Sequence, residues 1–381
     1  MLSVGIVGLS NVGKSTLFNA LLKKQQAYVA NYPFTTIEPN IGVVPVPDER
    51  LGKLAQTIVL EKETPFAWLK ESPSFPPIVP ATVKFVDIAG LVKGASKGAG
   101  LGNKFLSHIR EVNVIVHVVR AFEDENIVKE GSVNPKSDYE TVQTELVLAD
   151  LATIQNSKFK TQKSKPRQTR SKPQLKSQNF LDKILAELNE GIPVREIGLT
   201  DEEKGNLKDL QLLTAKPEII VLNVAEQALK DAEQITQKYA ELFAVSKNKF
   251  VIISAKTEAE LGALSEEEQI EYLKELGLKE QGLERLIKKA YETLGLISFF
   301  TTTGEKEVRA WTVKKGTLAI DAADVIHTDF AKKFIKAEVV TFEDFVEYCG
   351  WKGAREKGKT LLGGKDYLVK DGDVIEFKIG T

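Results

Sequence analysis

Short apolar runs alternate with longer stretches of helical spacing, and this predicts an α/β fold for most of the chain. Residues 4–7 form the first apolar run, and 17–22 open a helix behind it. Residues 41–46 read as a strand, 48 to about 60 as a helix and 82–86 as a strand. A helix over 103–111 precedes a buried strand, 114–119, that closes on Arg120. Strands at 217–222 and 250–253 complete the set, and 258–294 alternates acids with Leu and Ile at helical spacing. Pro65, Pro73, Pro76, Pro77 and Pro80 make 61–80 an irregular surface segment.

Two amphipathic stretches interrupt this alternation. Val142, Leu146, Leu148, Leu151 and Ile154 mark a helix from 138 to about 158, and Phe180, Leu181, Ile184, Leu185 and Leu188 mark another over 179–188. They predict an antiparallel hairpin whose arms project ~30 Å at about 1.5 Å per residue. Its tip, 158–176, carries Lys158, Lys160, Lys163, Lys165, Arg167, Arg170, Lys172 and Lys176 with no acid. Pro166, Pro173 and the polar content there predict disorder. A solvated linker and an RNA-phosphate contact are both open, with Phe159 the only aromatic inside the run. A helix-rich stretch, 200–213, leads back to the core.

The C-terminal part changes character. Strands at 308–311 and 334–340, a short helix over 342–348 and a hairpin over 367–377 about Asp371-Gly372 predict a small α+β module. Lys332, Lys333, Lys336, Lys352, Arg355, Lys357, Lys359 and Lys365 lie between these elements.

Composition narrows the class. With 381 residues there is room for two or three domains, and 42% hydrophobic with 28% charged residues fits a soluble globular protein. The net charge of −1 gives no global field for nucleic acid, so such binding must be local. Cys349 alone excludes an internal disulfide or a multi-cysteine zinc site, and His108, His117 and His327 show no ligand spacing. The N-terminus runs straight into the first strand without a signal-like pattern, and no apolar run reaches about 18 residues. The expectation is a cytoplasmic protein without a membrane partner, and nothing demands more than a monomer.

The chemistry begins at Gly8-Leu9-Ser10-Asn11-Val12-Gly13-Lys14-Ser15-Thr16, a G-x-x-x-x-G-K-S between strand and helix. Backbone N–H groups of this loop would face phosphates. Lys14 would reach the β- and γ-phosphates, and the Ser15 hydroxyl would ligate Mg²⁺. Thr36, in the loop 31–40, is a candidate second ligand and γ-phosphate sensor. Asp87-Ile88-Ala89-Gly90 ends a strand as D-x-x-G: Asp87 would hold the metal through its water shell, and the Gly90 N–H would meet the γ-phosphate. Leu91 stands where Ras-like GTPases carry the water-orienting glutamine, so another group or a partner must supply that function. The Gly/Ala-rich run to Gly100 is conformationally permissive. His117 reads as a core histidine, while His108, beyond that run, is the better candidate base. Asn223-Val224-Ala225-Glu226 and Ser254-Ala255-Lys256 follow strands, where an open α/β sheet binds ligand, and read as base-recognition loops.

Together these motifs and the C-terminal module resemble the YchF/Ola1 family of Obg-related P-loop NTPases. The resemblance implies an α/β G domain interrupted by a helical coiled-coil insertion and followed by an α+β TGS domain of β-grasp fold. The corresponding boundaries are 1–135 and 214–297 for the G domain, 136–213 for the insertion and 298–381 for the TGS domain. It also implies hydrolysis of ATP in preference to GTP, and ribosome or rRNA contact through the basic tip and the TGS domain, in translation or stress response. Asn11, with Val12, Gly13, Lys14, Ser15 and Thr16, matches a loop form in which the asparagine holds K⁺ near the phosphates. Such a charge can be worth about 10³–10⁵ in rate. Leu91 matches the family's apolar replacement of glutamine.

Base preference also has a physical reading. The usual GTPase sequence is Asn-Lys-x-Asp, whose aspartate accepts hydrogen bonds from guanine. Here Val224 and Glu226 replace the lysine and the aspartate, and a carboxylate one methylene longer is misplaced for guanine. An Obg-type GTPase in ribosome assembly, and a nucleotide-regulated RNA-binding adaptor with little turnover, are the alternatives.

Overall fold

The computed structural model describes residues 2–31, 40–62, 75–88, 101–123, 134–163, 172–302 and 307–380. In chain order its strands are β1 (Ser3–Val7), β2 (Ile41–Pro45), β3 (Ile78–Val79), β4 (Thr82–Asp87), β5 (Val114–Arg120), β6 (Glu218–Asn223), β7 (Phe250–Ile253), β8 (Leu296–Thr302), β9 (Val308–Lys314), β10 (Phe334–Thr341), β11 (Leu361–Gly363) and β12 (Asp373–Ile379). Contacts divide the chain into two units, Met1–Val44 with Lys84–Leu286, and Pro45–Val83 with Ile287–Thr381.

The first unit is built on a sheet of order β2-β4-β1-β5-β6-β7. β1 runs parallel to β4 and β5, β5 to β6, and β6 to β7. Successive strands are therefore added on both sides of β1, which puts the switch point of the sheet beside its first strand. β1, β5, β6 and β7 are buried along their whole length, as parallel strands covered on both faces must be. Val7 and Ile115 pack with Phe105 and Ile109 of the helix Leu101–Glu111 and with Val142 and Leu146 of the helix Pro135–Lys163. Val119, Ile220 and Ile252 pack with Ala240 and Phe243 of the helix Ala232–Phe243.

Helices Pro135–Lys163 and Lys172–Asn189 share an apolar seam through Val147, Leu151, Ile154, Phe180, Ile184 and Leu188. The helices run further into the basic stretch than the sequence predicts. Residues 158–163 and 172–176 are helical rather than disordered, and only 164–171 lie outside the described residues. Pro173 does not prevent this, because it sits in the first turn, where its missing N–H has no helical partner to lose. The hairpin is tied to the segment leading into β6 by Asp150, whose carboxylate accepts from Leu213 N, Thr214 N and Thr214 Oγ1 at 2.7–2.8 Å.

The second unit has a sheet of order β11-β10-β12-β8-β9-β3. Residues 45–83 cluster with this unit rather than with the chain segments before and after them. β3, inside the segment expected to be irregular, pairs parallel with β9. The expected hairpin over 367–377 does not form. β12 pairs instead with β10 (antiparallel) and β8 (parallel). Residues 367–369 turn away to meet 317–319, with Ala319 N donating to Tyr367 O and Val369 N to Thr317 O. No helix among the described residues is long and apolar enough to cross a membrane.

Candidate nucleotide site

β1 ends at Val7, and residues 8–13 carry the chain into the helix Lys14–Asn31. Gly8 and Gly13 have φ of +151° and +98°, and a Cβ on them would lie 2.5 Å from Val118 O and 2.2 Å from Asn223 Nδ2. Only glycine fits at either end of this loop. Leu17 N donates to Gly13 O at 3.0 Å, so helical bonding starts at the last residue of the loop. The first N–H groups of the helix lack partners within it and form an anion-binding terminus.

Asn223, at the end of β6, joins three segments. Its Nδ2 donates to Val12 O and its Oδ1 accepts from Ala255 N, each at 2.9 Å. Both halves of one buried amide thus tie the phosphate loop to the loop after β7. Val224 N donates to Ile253 O at 2.8 Å and fixes the next residue of the same loop.

These segments enclose a cleft of about 500 Å³. Asn11, Gly13, Lys14, Ser15 and Thr16 line it from the phosphate loop, Asn223, Val224 and Glu226 from behind β6, and Ser254, Ala255 and Lys256 from behind β7. Val12 is buried behind the wall and contributes its carbonyl to Asn223. Phe122 and Glu123 also line the cleft and were not singled out from the sequence. Their signal was positional, since they follow the C-terminal end of β5 at the same sheet edge. Arg120 holds Phe122 by donating Nε to its carbonyl at 3.1 Å and lying 4.5 Å from its ring centroid.

Burial dominates the electrostatics. The Lys14 ammonium donates to Leu9 O. Desolvation pulls its pKa down to about 8, against the opposing pull of the Asp87 carboxylate. Asp87, ending β4, is raised by its own desolvation, with Lys14 acting the other way. Among the described residues no three His, Cys, Asp or Glu side chains form a metal cluster. A hard cation here would instead use the Ser15 hydroxyl, the Asp87 carboxylate through the cation's retained water, and phosphate oxygens, the usual pattern for Mg²⁺.

Glu226 opens a short helical turn on the cleft wall. Its Oε2 accepts from Tyr272 Oη at 2.8 Å and from Thr257 Oγ1 at 3.2 Å. His117 lies away from the cleft, 1% exposed, with Nδ1 3.2 Å from Glu218 Oε1. His108 is exposed near the end of the helix Leu101–Glu111 and is not among the cleft's lining residues. Thr36, Gly90 and Leu91 lie outside the described residues.

The chain is 46% identical over its whole length to the full "Ribosome-binding ATPase YchF" of Bacillus subtilis (strain 168). It is 47% identical to the protein of that name from Escherichia coli O157:H7, over 98% of each chain. The chain belongs to the YchF family of P-loop NTP hydrolases. A family profile described as a 50S ribosome-binding GTPase (MMR_HSR1) matches residues 3–149, and YchF-GTPase_C, described as a protein of unknown function, matches 296–380. The solved YchF GTPase of Schizosaccharomyces pombe superposes with a TM-score of 0.85 at 37% identity, covering 99% of this chain and 97% of that one. The expected architecture, a P-loop domain followed by the YchF C-terminal domain, is borne out by these matches.

Proposed function

We propose that the chain is a Mg²⁺-dependent triphosphatase that hydrolyses ATP in preference to GTP. It acts as a ribosome-associated switch in translation or stress response, as a cytoplasmic monomer. The phosphates lie on the loop 11–16, with Lys14 on the β- and γ-phosphates. Ser15, Thr36 and Asp87 serve the metal, and Gly90 meets the γ-phosphate. The base lies between Asn223–Glu226 and Ser254–Lys256. Asn11 on the cleft wall supports a K⁺ beside the phosphates, and equal hydrolysis rates in Na⁺ and K⁺ buffers would remove that element. ATP orders the loop around Thr36 and the run 90–100, and hydrolysis releases them. Residues 1–135 and 214–297 bind the nucleotide, and the insertion 136–213 and the TGS domain 298–381 reach the ribosome.

The observation that carries the ATP reading is Glu226. It lines the cleft three residues after Asn223, at the position where a guanine-reading aspartate is expected. The test is calorimetric titration with Mg·ATP and Mg·GTP side by side. Tighter ATP binding supports the reading. Tighter GTP binding overturns it in favour of an Obg-type GTPase.

A further inference from the structure

Glu226 does not enter the cleft as a free carboxylate. Tyr272, on the helix Glu266–Glu275, and Thr257, on the helix Ala255–Leu261, both direct hydroxyls to the same oxygen, Oε2. The Thr257 hydroxyl also lies 2.9 Å from Ser254 Oγ. It has one proton to give, and that proton serves either Ser254 Oγ or Glu226 Oε2. Tyr272 is therefore the shorter donor to Oε2, at 2.8 Å, and Thr257 divides its proton between Ser254 and the same oxygen. The Tyr272 phenol is pushed up to about 12, chiefly by its bond to Glu226, so it remains a donor at neutral pH.

A carboxylate oxygen accepts about two hydrogen bonds. Tyr272, with Thr257 beside it, therefore engages Oε2 and leaves Oε1 as the oxygen that carries neither. Guanine presents two adjacent donors, its ring N1–H and its exocyclic amine, which need both oxygens of one carboxylate. Adenine presents a single exocyclic amine on that edge, for which one oxygen suffices. A guanine here would leave one donor unpaired, and a buried donor without a partner weakens binding.

We propose that Tyr272, with Thr257, is a positioning residue that sets base selectivity by occupying Glu226 Oε2. This rests on the ATP reading above. The lever is the hydroxyl alone, which makes the test specific.

The experiment measures affinities for ADP and GDP, which are not hydrolysed, in wild type, Tyr272→Phe and Thr257→Val. Each substitution deletes one donor and keeps the side-chain shape. The expected result is a fall of about tenfold in the preference for ADP over GDP in Tyr272→Phe, the value of one hydrogen bond. Thr257→Val should move it in the same direction. A preference for ADP that stays at its wild-type value in both variants overturns the inference and leaves the ATP reading standing. So does an equal loss of both affinities, which is what a merely structural role would produce. A wild-type preference for GDP overturns the ATP reading itself, and this inference with it.

Discussion

Arg195 Nη2 lies 2.7 Å from Glu218 Oε2, with the two side chains 7% and 1% exposed. Glu218 starts β6, and Arg195 follows the second helix of the insertion, so the pair fastens the insertion to the sheet. His117, Tyr139 and Gln143 complete the coordination of the carboxylate, and Arg195 also donates to Gln143 Oε1 at 2.6 Å. Removing one member leaves the other charge buried without its counter-ion. Arg195→Met should therefore destabilise the protein by about 3–5 kcal/mol, and the double variant with Glu218→Gln by clearly less. Urea unfolding of the singles and the double measures both. Equal losses in the single and the double would show that packing, not charge, is what Arg195 provides.

The same pair sets an acid limit. Burial pushes the Glu218 carboxyl up, but Arg195 and His117 together outweigh it and hold the pKa at about 2. A folded pKa below the ordinary 4.5 means that ionised Glu218 contributes fully above about pH 4.5. That contribution drains away as pH falls toward 2. The stability difference between wild type and Glu218→Gln should shrink over this window and be flat above it.

Lys14 gives the opposite sign at alkaline pH. Its pKa is depressed to about 8 from 10.5, so the cost of burying its charge is fully present below pH 8 and relieved as pH rises toward 10.5. The nucleotide-free protein should therefore gain stability over that window. Phosphate oxygens beside Lys14 would restore a charge partner and raise its pKa again. Binding should then take up a proton near pH 8, and affinity should fall above it by up to about tenfold per pH unit. Titrations in buffers of different ionisation enthalpy measure the uptake. Lys14→Ala should abolish both the uptake and hydrolysis.

Much of the site was legible because it follows from local rules. Parallel strands buried on both faces read as apolar runs, and ligand loops follow their C-terminal ends. The strand end at Asp87, the loops after β6 and β7 and the phosphate loop could be found in that way, and the last three line one cleft. What was not legible depends on partners far along the chain. The helix Arg50–Lys62 was visible, but its attachment was not. Arg50 bonds Asp371, 321 residues away, and lies over the Phe300 ring, and the Glu61 carboxylate accepts from Lys352 N. The hairpin about Asp371-Gly372 failed for the same reason. The Asp371 carboxylate accepts from Ser298 N and Arg50, so the turn serves β8 and the segment 45–83 rather than a local ladder. Tyr272 was hidden in a helix that reads only as amphipathic.

Gly13 offers a direct check on the Asn223 clamp. Its φ of +98° disfavours any side chain, and a Cβ would collide with Asn223 Nδ2. Gly13→Ala must shift either the loop or the amide that binds Val12 and Ala255. Nucleotide affinity should drop by about tenfold or more, the scale of a strained backbone plus a lost hydrogen bond. Wild-type affinity in this variant would mean that the clamp has slack the geometry does not suggest.

The basic tip can be tested through its salt dependence. Lys163 ends the first helix of the hairpin, and Lys165, Arg167 and Arg170 lie just outside the described residues. The whole protein has a net charge of −1, so any attraction to RNA phosphate must come from such a local cluster. Each phosphate contact contributes about −0.7 to −0.9 to the slope of log affinity against log salt. Neutralising these four positions should weaken ribosome co-sedimentation and flatten that slope by about three units if all of them touch phosphate. The effect should vanish at high salt, where the contacts are screened in both proteins. Identical pelleting across a salt series would place the ribosome contact elsewhere. The basic positions between β9 and β12, such as Lys336 and Lys352, would then be the next to neutralise.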